Sequence, residues 1–192
     1  KLAMTSIPKL VAHRGYTLHY PENTLLGLEA AVAAGAKYLE VDIQLSKDQV
    51  PYLFHDRDMQ RLCGQQGALY DYSSTQLSEF RASDTERFGY KFVNNPLTTL
   101  IGLVGLMQRY PAVTVFVELK RSSLEKFGHE LMVKKVLSIL EPVKSQCVII
   151  SYNIEALAHV NKEYKWPVGA VTDEWQDRNA KPIVELNPQY LF

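Results

Sequence analysis

The chain has 192 residues, 46% hydrophobic and 22% charged, which suits a single globular domain with a sizeable core. Its 21 basic and 21 acidic residues give zero formal charge, which excludes the cationic excess that a nucleic-acid binder uses against phosphates. Cys63 and Cys147 lie far apart and make neither a disulfide framework nor a zinc-ligand spacing, and no run of about 18 apolar residues marks a membrane span.

No signal-peptide pattern opens the sequence, so the expectation is a cytoplasmic protein without stable membrane insertion. Lys1-Leu2-Ala3 reads as an addition ahead of a native start at Met4. In chain order, β-rich runs then alternate with helical patterns. Strands are expected at 9–13 (KLVAH), 37–45 (KYLEVDIQL), 50–55 (VPYLFH), 114–120 (TVFVELK), 147–152 (CVIISY), 167–172 (PVGAVT) and, on the thinnest pattern, 189–192.

The first helix follows the Pro-Glu-Asn-Thr stretch, with Asn23 as its N-cap, apolar residues at Leu25, Leu28 and Val32, and Gly35 at its C-terminal cap. A second begins near Thr98 and carries Leu100, Leu103, Val104 and Met107 before Pro111. A third covers 123–140, and a fourth follows Asn153. Between them, 57–97 reads as a loop-rich insertion with one short helical stretch after Ser73 or Ser74. A connection this long is usually functional, and it is expected to shape the substrate. The alternation of strand and helix argues for a parallel α/β sheet.

Parity along the strands singles out the chemistry. Glu40 and Asp42 are two apart, so they share one face while Leu39, Val41 and Ile43 take the other; Glu118 and Lys120 repeat the pattern against Val117 and Leu119. In a barrel wrapped by helices the apolar set faces the helices and the charged set faces inward. His13, Glu40, Asp42, His55, Glu118 and Lys120 all fall at expected strand ends, where a parallel barrel carries its active site.

Three carboxylates without a thiol suit a hard, oxygen-preferring cation, Mg²⁺ or Ca²⁺. Two histidines at the same rim suit general acid and base catalysis, and Arg14 and Lys120 suit a phosphate. Together these describe phosphoester cleavage. Singly, each has a plainer reading as a solvated or ion-paired residue. Their convergence on several inward faces decides against it, since buried charges without a common purpose are costly. His19, His129, His159, Trp166 and Trp175 carry no paired signal, although Trp175 follows a strand and could line the mouth. Gly64 and Gly67 do not make a phosphate loop.

The ordered set AHRGY, PENTL, GAKYLEVDIQLSKD, LFHD, PLTTL and VFVELK resembles the glycerophosphodiester phosphodiesterase family, from about Leu10 to Lys120 by motif and more loosely to the end. The resemblance implies a TIM-type (β/α)8 barrel that hydrolyses glycerophosphodiesters to glycerol 3-phosphate and an alcohol with a divalent cation. It implies Glu40, Asp42 and Glu118 as metal ligands, His13 and His55 as the catalytic pair, and Arg14 and Lys120 as phosphate contacts. Glu22 and Asn23 match supporting positions. Spacing leaves open which histidine is base and which is acid; the resemblance favours His13 as base and His55 as acid.

Two alternatives stand beside it: a phospholipase D of the sphingomyelinase kind, and a non-catalytic phosphate-binding barrel. Glu118 two residues before Lys120 favours the glycerophosphodiesterase side over the first, whose third acid is typically Asp. No motif residue is substituted, which argues against the second. An eight-stranded barrel typically takes about 250 residues. A chain ending at Phe192 is therefore expected to lack the last strand and helix of the wall.

Overall fold

A computed structural model describes residues 9–192; the reading of Met4 as a start lies outside them. The short strand β1 (Ala12–His13) runs into a turn at Gly15 and then to helix α1 (Leu25–Ala33). Gly15 has φ 96°, and a Cβ there would stand 2.9 Å from the Gly27 carbonyl carbon, so only glycine fits this close approach to α1. The N-cap of α1 is Thr24, whose Oγ1 accepts from the Gly27 N–H at 3.2 Å. The expected cap, Asn23, instead has a left-handed backbone (φ 54°) and turns its side chain onto strand β2 (Tyr38–Leu45).

Strand β3 (Pro51–Leu53) pairs antiparallel with β2 and lies off the path of the main sheet, correcting the expectation of a barrel strand at 50–55. The reason is the connection: residues 46–50 can close a hairpin, whereas a parallel crossover needs about a dozen residues or more. His55 therefore sits in the loop beyond β3 and not at a barrel strand end.

The 57–97 segment holds several helical turns rather than one. These are α2 (Gln60–Cys63), a 3-10 turn (Leu69–Asp71), α3 (Ser74–Leu77) and α4 (Thr85–Phe88). Met59, Leu62, Leu69, Leu77 and Ala82 pack with Tyr52 and Phe54 into a second small core, which fixes the segment against the hairpin. Single turns are too short to show a hydrophobic period.

Beyond it lie α5 (Leu100–Arg109), capped by Thr99, and strand β4 (Thr114–Leu119). The helix expected at 123–140 is two, α6 (Arg121–Phe127) and α7 (His129–Leu140), broken at Gly128, whose φ is 82°. β5 (Cys147–Ser151), α8 (Ile154–His159), β6 (Val168–Ala170), α9 (Lys181–Leu186) and β7 (Tyr190–Leu191) complete the described chain.

The parallel sheet runs β1-β2-β4-β5-β6-β7. Its outer face is apolar: Leu39, Val41, Ile43, Val115, Val117 and Leu119 pack with Leu28 of α1, Leu103 and Met107 of α5, and Val133 and Leu137 of α7. Each such side chain contributes roughly 1.5–3 kcal/mol on burial. The inner face carries Phe116, Val148 and Ile150, with Tyr190 packed against them. Edge-to-face contacts from Phe116 to Tyr190 (5.1 Å) and to Phe192 (4.9 Å) fill the interior.

This is an incomplete (β/α) barrel. Its wall has six parallel strands among the described residues, one fewer than the seven expected, because β3 belongs to the hairpin. No helix among the described residues is long and apolar enough to cross a membrane, and Cys63 and Cys147 are both free thiols.

Candidate active site

The pairing register assembles the site. β1 and β2 place His13 beside Glu40, and β2 and β4 place Asp42 beside Glu118, so acids from two adjacent strands, β2 and β4, converge next to the histidine that ends β1. Oxygens of Glu40, Asp42 and Glu118 lie within 4.8 Å of one another, and all three residues are buried. Glu40 Oε2 and Asp42 Oδ1 have no hydrogen-bond partner. Buried carboxylate oxygens left in this state are costly, and the nitrogens set against them are His13 Nε2 at 3.6 Å and Lys120 Nζ at 3.4 Å.

The cations enter from two sides. Arg14 has φ 60°, a strained left-handed conformation that turns its guanidinium inward, with Nε 3.2 Å from Asp42 Oδ2 and Nη1 3.3 Å from Glu22 Oε1. Lys120 Nζ bridges Asp42 and Glu118, the latter at 3.2 Å. Asn23 Nδ2 donates to Asp42 Oδ2 at 2.9 Å, and Asn23 Oδ1 accepts from the Asp42 backbone N–H at 3.2 Å. Arg14 and Asn23 are tied to each other through the Asn23 N–H and the Arg14 carbonyl.

These neighbours set the protonation states. Burial, then the charges of Asp42 and Glu118, push the Glu40 carboxyl up to about 9. Glu118 is raised too, by burial first and by Asp42 second. Burial also works against ionised Asp42, but Lys120, the Asn23 amide and Arg14 outweigh it and hold that carboxyl below its ordinary range. His13 is held below the usual imidazole value, first by partial burial and then by Arg14.

His55 comes from the loop that follows β3. Its Nδ1 lies 2.8 Å from Asp56 Oδ1, and Arg61 on α2 binds both Asp56 and Glu22. The loop is held from below by Gln44, wholly buried on the same face of β2 as Glu40 and Asp42. Gln44 Nε2 lies within hydrogen-bonding distance of the carbonyl oxygens of Phe54 (3.0 Å), His55 (3.1 Å) and Asp56 (2.7 Å), and its Oε1 accepts from Ser122 Oγ at 3.2 Å. A cavity of about 400 Å³ opens here, lined by His55, Asp56, Glu118, Lys120, Arg121 and Tyr152 among others. The Arg121 guanidinium lies over the Tyr152 ring at 4.6 Å.

All nine residues expected from sequence, His13, Arg14, Glu22, Asn23, Glu40, Asp42, His55, Glu118 and Lys120, thus meet at one end of the sheet. Three others were not singled out. Gln44 continues the alternation of Glu40 and Asp42, so parity was its signal. Asp56 follows His55 directly, and Arg61 had no signal. His19 packs edge-on against Tyr16, and His129 against His159. Trp166 is buried, while Trp175 is exposed beneath Arg178. A larger apolar cavity of about 660 Å³ beside β1 and α1 presents no carboxylate or imidazole.

The donor set fits a hard divalent cation. Glu22, Glu40, Asp42, Asp56 and Glu118 face Arg14, Arg61 and Lys120, an excess of two negative charges when all are ionised, and the two orphaned oxygens lie in the innermost part.

A family profile described as the glycerophosphoryl diester phosphodiesterase family matches residues 13–190. The chain is 30% identical over 154 residues to a glycerophosphodiester phosphodiesterase of Bacillus altitudinis, covering 80% of this chain and 62% of that protein. It is 32% identical over 127 residues to an uncharacterized Mycobacterium tuberculosis protein, covering 63% of this chain and 42% of the other. The chain thus spans less than two thirds of the length of these relatives.

Among solved structures, an Oleispira antarctica phosphodiesterase in complex with the product sn-glycerol-3-phosphate superposes with a TM-score of 0.81 at 25% identity, covering 96% of this chain and 74% of that one. A glycerophosphodiester phosphodiesterase from Thermotoga maritima shares the fold, with a TM-score of 0.69 at 24% identity over 97% of this chain and 74% of that one.

Proposed function

The chain belongs to the glycerophosphoryl diester phosphodiesterase family, and we propose that it hydrolyses glycerophosphodiesters to glycerol 3-phosphate and an alcohol. In this reading one divalent cation, Mg²⁺ or Ca²⁺, is held by Glu40, Asp42 and Glu118. The observation that carries it is the buried trio of carboxylates, two of them with an orphaned oxygen, set beside two imidazoles. The product bound to the Oleispira antarctica relative supports the substrate class.

Bound there, the ion supplies Lewis-acid stabilisation of charge on the phosphoryl oxygens. Arg14 and Lys120, both side chains mostly buried, neutralise the same oxygens from the flanks, where a fixed charge counts for more than in bulk water. His13, whose proton affinity is depressed, takes the proton of the substrate's own glycerol 2-hydroxyl. That oxygen bonds to phosphorus as the bond to the head-group oxygen breaks, giving a cyclic phosphate. His55, held at Nδ1 by Asp56, gives a proton from Nε2 to the departing alcohol. Water then opens the cyclic ester with the two roles exchanged, which restores both starting protonation states. Glu22 and Asn23 support the site by holding Arg14 and Asp42.

The test is a substrate panel of glycerophosphocholine, glycerophosphoethanolamine and glycerophosphoglycerol with Mg²⁺ or Ca²⁺. sn-Glycerol 3-phosphate and the free alcohol are expected in equal amounts, with release abolished by EDTA and restored by the ion. Release of phosphocholine, or no sn-glycerol 3-phosphate from any member, would overturn the proposal.

A further inference from the structure

Glu22, His55 and Asp56 also stand close enough to hold a cation, their ligand atoms lying within 4.8 Å of one another. A cation of the chain's own is already there. Arg61 donates from Nη1 to Glu22 Oε2 (3.1 Å) and from Nη2 to Glu22 Oε1 (2.7 Å). Toward Asp56 it donates from Nε to Oδ2 (2.8 Å) and from Nη2 to Oδ1 (3.0 Å). Four charge-assisted bonds from one planar guanidinium fix both carboxylates in orientation as well as in charge.

We infer that Arg61 is a positioning residue, setting His55 for proton transfer through Asp56 and locking the loop after β3 to the loop after β1 through Glu22. The argument rests on the reading of His55 as a proton carrier. An ionised carboxylate only accepts hydrogen bonds, so His55 must carry its hydrogen on Nδ1 to make the 2.8 Å contact with Asp56 Oδ1. That leaves Nε2 as the nitrogen for exchange with substrate. Arg61 bonds the same Oδ1, and through Oδ2 it fixes the plane of the carboxylate.

The link continues from Glu22 to Arg14 Nη1 at 3.3 Å, so one connected set of ion pairs spans the cation side and the imidazole side of the site. Arg61 can act as a rigid post because its neighbour Leu62 is buried in the second core. The Leu62 carbonyl also accepts from the Ser83 and Asp84 N–H groups. A lysine at this position has the charge without the fork and cannot make all four bonds.

The test uses the full chain with Arg61→Ala and Arg61→Lys, assayed on the best substrate of the panel and titrated with Mg²⁺ or Ca²⁺. Misplacing a catalytic group by about 1 Å costs roughly 10²-fold. Arg61→Ala is therefore expected to lose kcat on that order, with KM and ion affinity little changed. Added guanidinium should restore part of the rate. Arg61→Lys, which keeps the charge and protects against misfolding, is expected to remain well below wild type.

Nitrogen NMR of His55, recorded at a pH where its imidazole is neutral, supplies a readout independent of turnover: the Nδ1–H tautomer in the wild type, and a tautomer mixture in Arg61→Ala. Wild-type kcat in Arg61→Ala with an unchanged His55 tautomer would overturn the inference, as would full activity of Arg61→Lys. A wild-type chain that hydrolyses nothing would overturn the proposed function alone, and the tautomer comparison would still decide the role of Arg61.

Discussion

Asn23 holds Asp42 twice, through Nδ2 to the carboxylate at 2.9 Å and through Oδ1 from the backbone N–H at 3.2 Å. It does so from a left-handed backbone that asparagine tolerates better than most residues. Asn23→Ala removes both bonds and leaves a buried donor, a loss of about 1–3 kcal/mol in unfolding free energy. Asn23→Gly removes the same bonds while relieving the backbone, so it should be the more stable of the two. With Asp42 freed to turn, both variants are expected to bind Mg²⁺ or Ca²⁺ about 10- to 100-fold more weakly by calorimetric titration. An Asn23→Gly protein that binds the ion as tightly as wild type would rule out this orienting role.

The acids give a pH dependence whose sign is fixed by their surroundings. Glu40 rises from 4.5 to about 9 on folding, so between those values the metal-free folded chain holds more protons at this site than the unfolded chain does. Its contribution is complete below pH 4.5 and is lost as pH rises toward 9. Glu118 shifts in the same direction, whereas Asp42, depressed by its partners, acts on the acid side of 3.8. The melting temperature of the metal-free protein is expected to fall from pH 6 to pH 9, less steeply in Glu40→Gln. A divalent ion should raise it most at the alkaline end and release protons as it binds. Equal slopes in the two proteins would show that Glu40 does not control this window.

His13 and His55 differ in how they are held, and the difference predicts separable effects. His13 has a side chain 67% exposed with one carboxylate at 3.6 Å, whereas His55 is 32% exposed and bonded to Asp56 at 2.8 Å. Replacing either with Ala removes a proton carrier without opening a core cavity. Turnover should drop by about 10²–10⁴-fold, with the melting temperature and ion affinity near those of wild type. Steady-state kinetics paired with ion titration checks this. Near-normal turnover in both variants would eliminate the pair.

What the sequence makes legible follows from how local each feature is. The shared face of Glu40, Asp42 and Glu118 is readable because alternation along a strand is imposed by covalent geometry. The same alternation carries no direction, so 50–55 reads as a barrel strand although its short connection to β2 permits only a hairpin. Asn23 reads as a cap because its residue type suits one; its left-handed turn toward Asp42 depends on β2, distant in sequence. Arg61 sits on a single helical turn without periodicity, and its partners lie 5 and 39 residues away. Gln44 obeys the parity rule, but a neutral amide does not announce itself beside carboxylates.

Gln44 gives the sharpest test of how the wall controls the loop above it. Its amide is wholly buried and spans the carbonyl oxygens of Phe54, His55 and Asp56, while Ser122 Oγ donates to its own oxygen. Leucine fills a similar volume but can neither donate nor accept, so Gln44→Leu leaves several carbonyls unpaired, at about 1–3 kcal/mol for a buried group. The same change frees the backbone that carries His55 while leaving Glu40, Asp42 and Glu118 on their strands. Ion affinity should therefore hold and kcat should fall, with a lower melting temperature and faster amide exchange at 54–56. If exchange at 54–56 stays slow and kcat is unchanged, another contact positions the loop and the clamp is redundant.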